Sequence, residues 1–131
     1  PLKGLIKFLD WAKSKNVSMA ICTNKQERLA IDLLKKLNIY KYFEYVAGSD
    51  TFAFNKPDPR HLTDVVEIIG GDLNKTIMIG DSEVDEMSAH NAKLPFILVK
   101  DGYTEKSEKE IKHEALISDF VNFEKVIEKY L

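Results

Sequence analysis

Two aspartates four residues apart, Asp81 and Asp85, follow the apolar run that opens TIMIGDSEVDE (residues 76–86). If a helix starts there, Asp81 lies in the turn before it and Asp85 one turn in, on the same side. Gly80 lets the backbone come close to whatever the two acids hold. Hard oxygen donors in this arrangement suit Mg2+, with water, phosphate or another carboxylate completing the shell. The bland alternative is that acids favour any helix N-terminus. Glu83 between them reads as solvent-facing and is a weaker candidate. Upstream, NKPDP (55–59) places Lys56 beside prolines that restrict the backbone, so its ammonium suits a fixed charge over a phosphate. The competing reading is a solvated loop lysine. In TNKQ (23–26), Thr23 and Gln26 match a capping box, which is simply a helix start. The same start offers N–H groups and positive dipole to an anion, with the Thr23 hydroxyl as a further donor.

Strands and helices must bring these groups together. Residues 4–15 place Leu5, Phe8, Leu9 and Ala12 at helical spacing. Residues 18–23 read as a strand without polar alternation, as expected where both faces are covered. Residues 26–37 put Leu29, Leu33, Leu34 and Leu37 on one helical face, and 44–50 read as a second strand. Asp58 and Pro59 look like the N-cap and first residue of a helix that stops near Gly70 and Gly71. A third strand (76–80), a helix (82–92) and a fourth strand (95–100) follow. Residues 115–118 suit a short edge strand, and Phe123, Val126, Ile127 and Tyr130 stripe a last helix.

Strands alternating with helices predict an α/β fold with a mainly parallel sheet, whose ligands bind at the carboxyl ends of the strands. The residues at those ends are Thr23-Asn24-Lys25, Gly48-Ser49-Asp50 with Lys56 beyond, Gly80-Asp81-Ser82 and Asp101-Gly102-Tyr103. Together they make an inventory for phosphate and metal.

Composition narrows the classes. With 131 residues, 44% of them apolar and 31% charged, one domain spanning 1–131 is expected, with no second domain. A net charge of −2 gives no reason to expect nucleic acid or an anionic membrane as partner. Apolar runs of four or five residues are too short to span a bilayer, and no secretory leader opens the chain. A single cysteine, Cys22, cannot form an internal disulfide, so a reducing cytoplasm is the expected location. Cys22 reads as core rather than nucleophile, and His61, His90 and His113 as surface or packing residues.

Taken in order, ICTNK (21–25), NKPDP (55–59) and MIGDSEVD (78–85) resemble the second, third and fourth motifs of the haloacid dehalogenase-like superfamily, in its phosphoglycolate phosphatase-like branch. The resemblance covers essentially the whole chain and implies a three-layer Rossmann-like core. It implies that Thr23, with Asn24, hydrogen-bonds the substrate phosphate, and that Lys56 neutralises the phosphate and the attacking carboxylate. Asp81 would then ligate Mg2+, and Asp85 would orient metal-bound water or Lys56. The implied reaction is hydrolysis of a small phosphorylated metabolite, phosphoglycolate first, through an aspartyl-phosphate.

One motif of the pattern is missing. An apolar strand ending D-x-D-G-T/V should supply the nucleophile, and residues 1–131 contain none; in ILVKDGYT (97–104) the position two before Asp101 is Val99. The cap domain of these proteins is missing as well, and Lys93 stands where relatives turn with glycine. The absent strand would lie centrally, between residues 18–23 and 76–80. The chain therefore reads as the C-terminal part of a longer phosphatase, with little or no activity by itself. The alternative is a shortened, non-catalytic module that binds an anion or a partner protein. In either case two strand edges open to outside pairing, which invites strand exchange or a homo-oligomer.

Overall fold

The computed structural model describes residues 3–99, 115–117 and 119–130. The order is α1 (Leu5–Ser14), β1 (Ala20–Cys22), α2 (Glu27–Lys36), β2 (Tyr45–Ala47), α3 (Arg60–Ile68), β3 (Met78–Gly80), α4 (Glu83–Asn91), β4 (Phe96–Val99), β5 (Ala115–Ile117) and α5 (Phe123–Ile127). Short 3-10 turns stand at Tyr40–Tyr42, Leu73–Lys75 and Glu128–Tyr130. Asp101 to Tyr103, the charged run 106–114 and His113 lie outside the described residues.

The fold is α/β, and every strand pair is parallel. The strands form two sheets, β1-β2 and β3-β4-β5. Among the described residues, β1 and β3 each keep one edge without a strand partner. This explains a departure from expectation. The stretch that holds β1 reads as covered on both faces, yet the residues of β1 and β3 are all only half-buried, whereas β4 is buried along its whole length. The split falls where the sequence pattern lacks its central strand.

One apolar cluster joins the sheets. Phe8, Leu9 and Ala12 of α1 pack with Val46 of β2, Ile97 and Val99 of β4, and Phe123 and Ile127 of α5. The Phe8 ring meets Phe123 edge-on at 4.7 Å, a preferred aromatic geometry. A second cluster, Leu62, Ala89, Leu94, Phe96 and Leu98, fills the opposite side of the sheet.

Helix α2 faces the core differently from its leucine pattern. Ala30 and Leu34 are buried, while Leu29 and Leu33 are each 45% exposed. Small Ala30 lets the helix sit close to β2, so the buried stripe is turned from the line of leucines. Helix α3 starts one residue later than expected, with Pro59 in the N-cap position. Asp58 still caps, its Oδ1 accepting the Arg60 N–H at 2.9 Å. Lys93, after α4, adopts the left-handed region at φ 60°, the conformation for which glycine is the default.

Candidate functional site

β3 ends at Gly80, the chain turns through Asp81, and Ser82 begins α4. Ser82 Oγ accepts the Asp85 N–H at 3.3 Å, the usual N-cap bond. The Asp85 carboxylate points back over this turn. Its Oδ2 accepts the Asp81 N–H at 3.1 Å, and its Oδ1 receives the Lys56 ammonium in an ion pair. The two side chains are only 9% and 10% exposed. Removing one partner of so buried a pair strands the other charge, at a cost of about 3–5 kcal/mol. Gly80 makes the approach possible, since a Cβ there would lie 2.5 Å from Asp85 Cβ and Oδ2.

Lys56 is also held by its backbone. Asn24 donates from Nδ2 to the Lys56 carbonyl at 3.1 Å and accepts the Lys56 N–H on Oδ1 at 3.2 Å. The Lys56–Pro57 peptide is cis. Asn91, the last residue of α4, donates to the Pro57 carbonyl at 3.2 Å.

Thr23 leaves β1 with its N–H on the Ala47 carbonyl at 2.9 Å, and its Oγ1 accepts the Lys25 N–H at 3.1 Å. The capping box with Gln26 does not form. Gln26 takes the N-cap position without a side-chain bond, and Asp50 Oδ1 accepts the Glu27 N–H at 2.9 Å instead. The loop after β2 folds onto the start of α2. Ser49 N–H donates to the Lys25 carbonyl at 2.8 Å. Thr51 Oγ1 accepts the Gly48 N–H at 2.8 Å and donates to Glu27 Oε1 at 3.0 Å. A Cβ on Gly48 would sit 2.3 Å from the Glu27 nitrogen. The cap thus comes from 23 residues away, where no local sequence signal reaches.

His61 was legible only as a surface or packing residue. It is fully buried on α3, and its Nε2 lies 3.2 Å from the Gly48 carbonyl. A carbonyl only accepts, so Nε2 carries the hydrogen of this bond. Its buried Nδ1 has no partner among the described residues.

The electrostatics follow from this crowding. Although Asp81 as a residue is exposed, partial desolvation raises its carboxyl above its ordinary value, and the charge and hydrogen bond of Asp85 add to the rise while Lys56 opposes it. Burial pushes the Cys22 thiol up to about 12, against the pull of Lys56, which makes a poor nucleophile. Burial also lowers the His61 imidazole, against its bond to Gly48.

Thr23 and Asn24, Lys56, Asp85 and Asp81 therefore form one run of contacts at the carboxyl ends of β1 and β3. Among the described residues, no group of three or more His, Cys, Asp or Glu gathers to hold a metal. Both oxygens of Asp85 are already engaged. The hard oxygens of Asp81 fit Mg2+, which would need further ligands beyond this carboxylate.

A family model described as haloacid dehalogenase-like hydrolase matches residues 1–99. The chain is 42% identical to a phosphoglycolate phosphatase of Agrobacterium fabrum, with 98% of this chain and 58% of that protein covered. It is 40% identical to a phosphoglycolate phosphatase of Mesorhizobium japonicum, covering 92% of this chain and 53% of that one. The chain thus spans somewhat more than half the length of these relatives. In fold it is similar to the crystal structure of a predicted phosphoglycolate phosphatase from Haemophilus somnus. There the TM-score is 0.89 at 21% identity, over 95% of this chain and 56% of the other. No helix of the described residues is long and apolar enough to cross a membrane.

Proposed function

The chain belongs to the haloacid dehalogenase-like hydrolases, and from that membership we propose that it is the C-terminal part of a Mg2+-dependent phosphatase acting on a small phosphomonoester. Phosphoglycolate is the favoured substrate, on the likeness to the two phosphatases named above. The observation that carries this reading is the buried Lys56–Asp85 pair beside Asp81. A buried ion pair adds little net stability, whereas a fixed ammonium at the strand ends is what a phosphoryl group requires.

In this reading the Thr23 hydroxyl and the N–H groups of its turn hold the phosphate, and Lys56 neutralises it. Asp85 keeps the ammonium in place, and Asp81 holds Mg2+, whose charge would stabilise the phosphoryl oxygens. The nucleophile is an aspartate of the parent protein outside residues 1–131. Its oxygen bonds to phosphorus as the bond to the substrate's alcohol oxygen breaks, and water then releases phosphate from the acyl phosphate. A cytoplasmic location suits the single cysteine.

The test compares the longer gene product with the 131-residue chain in hydrolysis of 2-phosphoglycolate. The longer protein should release phosphate and stop when EDTA removes the metal; the short chain should release almost none. A longer protein without phosphatase activity would sink the proposal. Turnover by the short chain that Asp81→Asn abolishes would show that the nucleophile lies within it. The edges of β1 and β3 that no described strand pairs favour one second reading, a non-catalytic module that binds a partner strand. An authentic start codon immediately before Pro1 would favour that module.

A further inference from the structure

Two asparagines from different elements grip the segment Lys56–Pro57, and we infer that Asn24 and Asn91 are positioning residues that set the Lys56 ammonium in place. Asn24 acts on the lysine's backbone, a different role from that of a phosphate donor. The case rests on how the amide is used. Its Oδ1 takes the Lys56 N–H and its Nδ2 gives to the Lys56 carbonyl. A carboxamide side chain offers a donor and an acceptor side by side in this way, which an ionised carboxylate does not.

Asn91 fixes the next carbonyl, that of Pro57. It stands at the end of α4, whose first turn carries Asp85. One helix therefore reaches this segment twice, at the lysine's ammonium through Asp85 and at the carbonyl of the next residue, Pro57, through Asn91. Lysine is a point charge on a flexible stem, so a defined ammonium position needs both ends fixed. Asn24 and Asn91 are themselves exposed, so neither packs the core, and their contacts act locally on residues 56 and 57.

Placement of the ammonium matters for catalysis only under the phosphatase reading. The experiment reads the clamp without turnover, so either idea can fail alone. The full chain is acylated with limiting acetic anhydride, and modification at each lysine is followed by mass spectrometry. Asn24→Ala, Asn91→Ala, the double variant and Asn24→Asp are compared with wild type, with Asp85→Asn as the positive control.

Lys56 should react slowly in the wild type. In the double variant its rate should rise at least on the order of tenfold, because the three hydrogen bonds that Asn24 and Asn91 make to residues 56 and 57 are lost. Exposed Lys13 and Lys75 should keep their rates. Asn24→Asp retains the acceptor for the Lys56 N–H but loses the donor, so its Lys56 rate should fall between wild type and Asn24→Ala. Unchanged Lys56 reactivity in the double variant, with a rise in Asp85→Asn, overturns the inference. Equal acceleration of all lysines in every variant, Asn24→Asp included, would assign these residues to general stability and overturn it too.

Discussion

Gly80 has no room for a side chain, because the Asp85 carboxylate occupies the space a Cβ would take. Gly80→Ala should therefore displace Asp85 from Lys56 and lower stability by about 1–3 kcal/mol, the usual penalty of overpacking. Urea unfolding measures it, and an unchanged midpoint would refute the tight fit. His61 gives a prediction in pH. Burial holds its imidazole below the ordinary 6.5, so as pH falls the unfolded chain binds the proton before the folded one does. Stability present above 6.5 should then be lost as pH drops toward the depressed folded value. Between roughly pH 7.5 and 5, the melting temperature of wild type should fall more steeply than that of His61→Gln. Parallel curves would show that His61 does not contribute. At this scale the proximity of Lys56, Asp81 and Asp85 was legible in the sequence, since all three follow strand ends of an α/β pattern. For His61 the sequence left surface and packing both open, because its burial is decided by the approach of Gly48 from the loop after β2.

The described elements were read nearly in full from apolar periodicity, with boundaries moved by one to three residues, the most at the end of β2. What periodicity missed was orientation and capping. It cannot say that Ala30, not Leu33, meets the sheet, since that depends on how closely α2 approaches β2. Nor can it find the cap of α2, because Asp50 belongs to the next crossover. Asp50→Ala should destabilise the start of α2 by about 1 kcal/mol, as the loss of an N-cap acceptor does. Hydrogen exchange at the Glu27 amide reads this directly: protection should fall there and persist around Leu34. Protection unchanged at Glu27 would leave Asp50 without the role of cap.

For the whole molecule, the two separate sheets define the main structural consequence. The half-exposed edges of β1 and β3 carry backbone groups that no described strand pairs, and such edges recruit other chains. The 131-residue chain should therefore self-associate as its concentration rises, and sedimentation equilibrium would detect the added mass. A strictly monomeric chain at the highest soluble concentration would mean that the edges are protected. The sequence made this architecture legible through an omission, since the pattern around ICTNK and TIMIG calls for a strand that residues 1–131 do not encode. The bridge between the loop after β2 and the start of α2 has an evolutionary consequence. Glu27, Gly48, Asp50 and Thr51 share one set of contacts, so a change at one alters what the others must supply. Across homologous genes, positions 27, 50 and 51 should be inherited as a set and covary more strongly with one another than with their sequence neighbours, and a side chain at 48 should be rare.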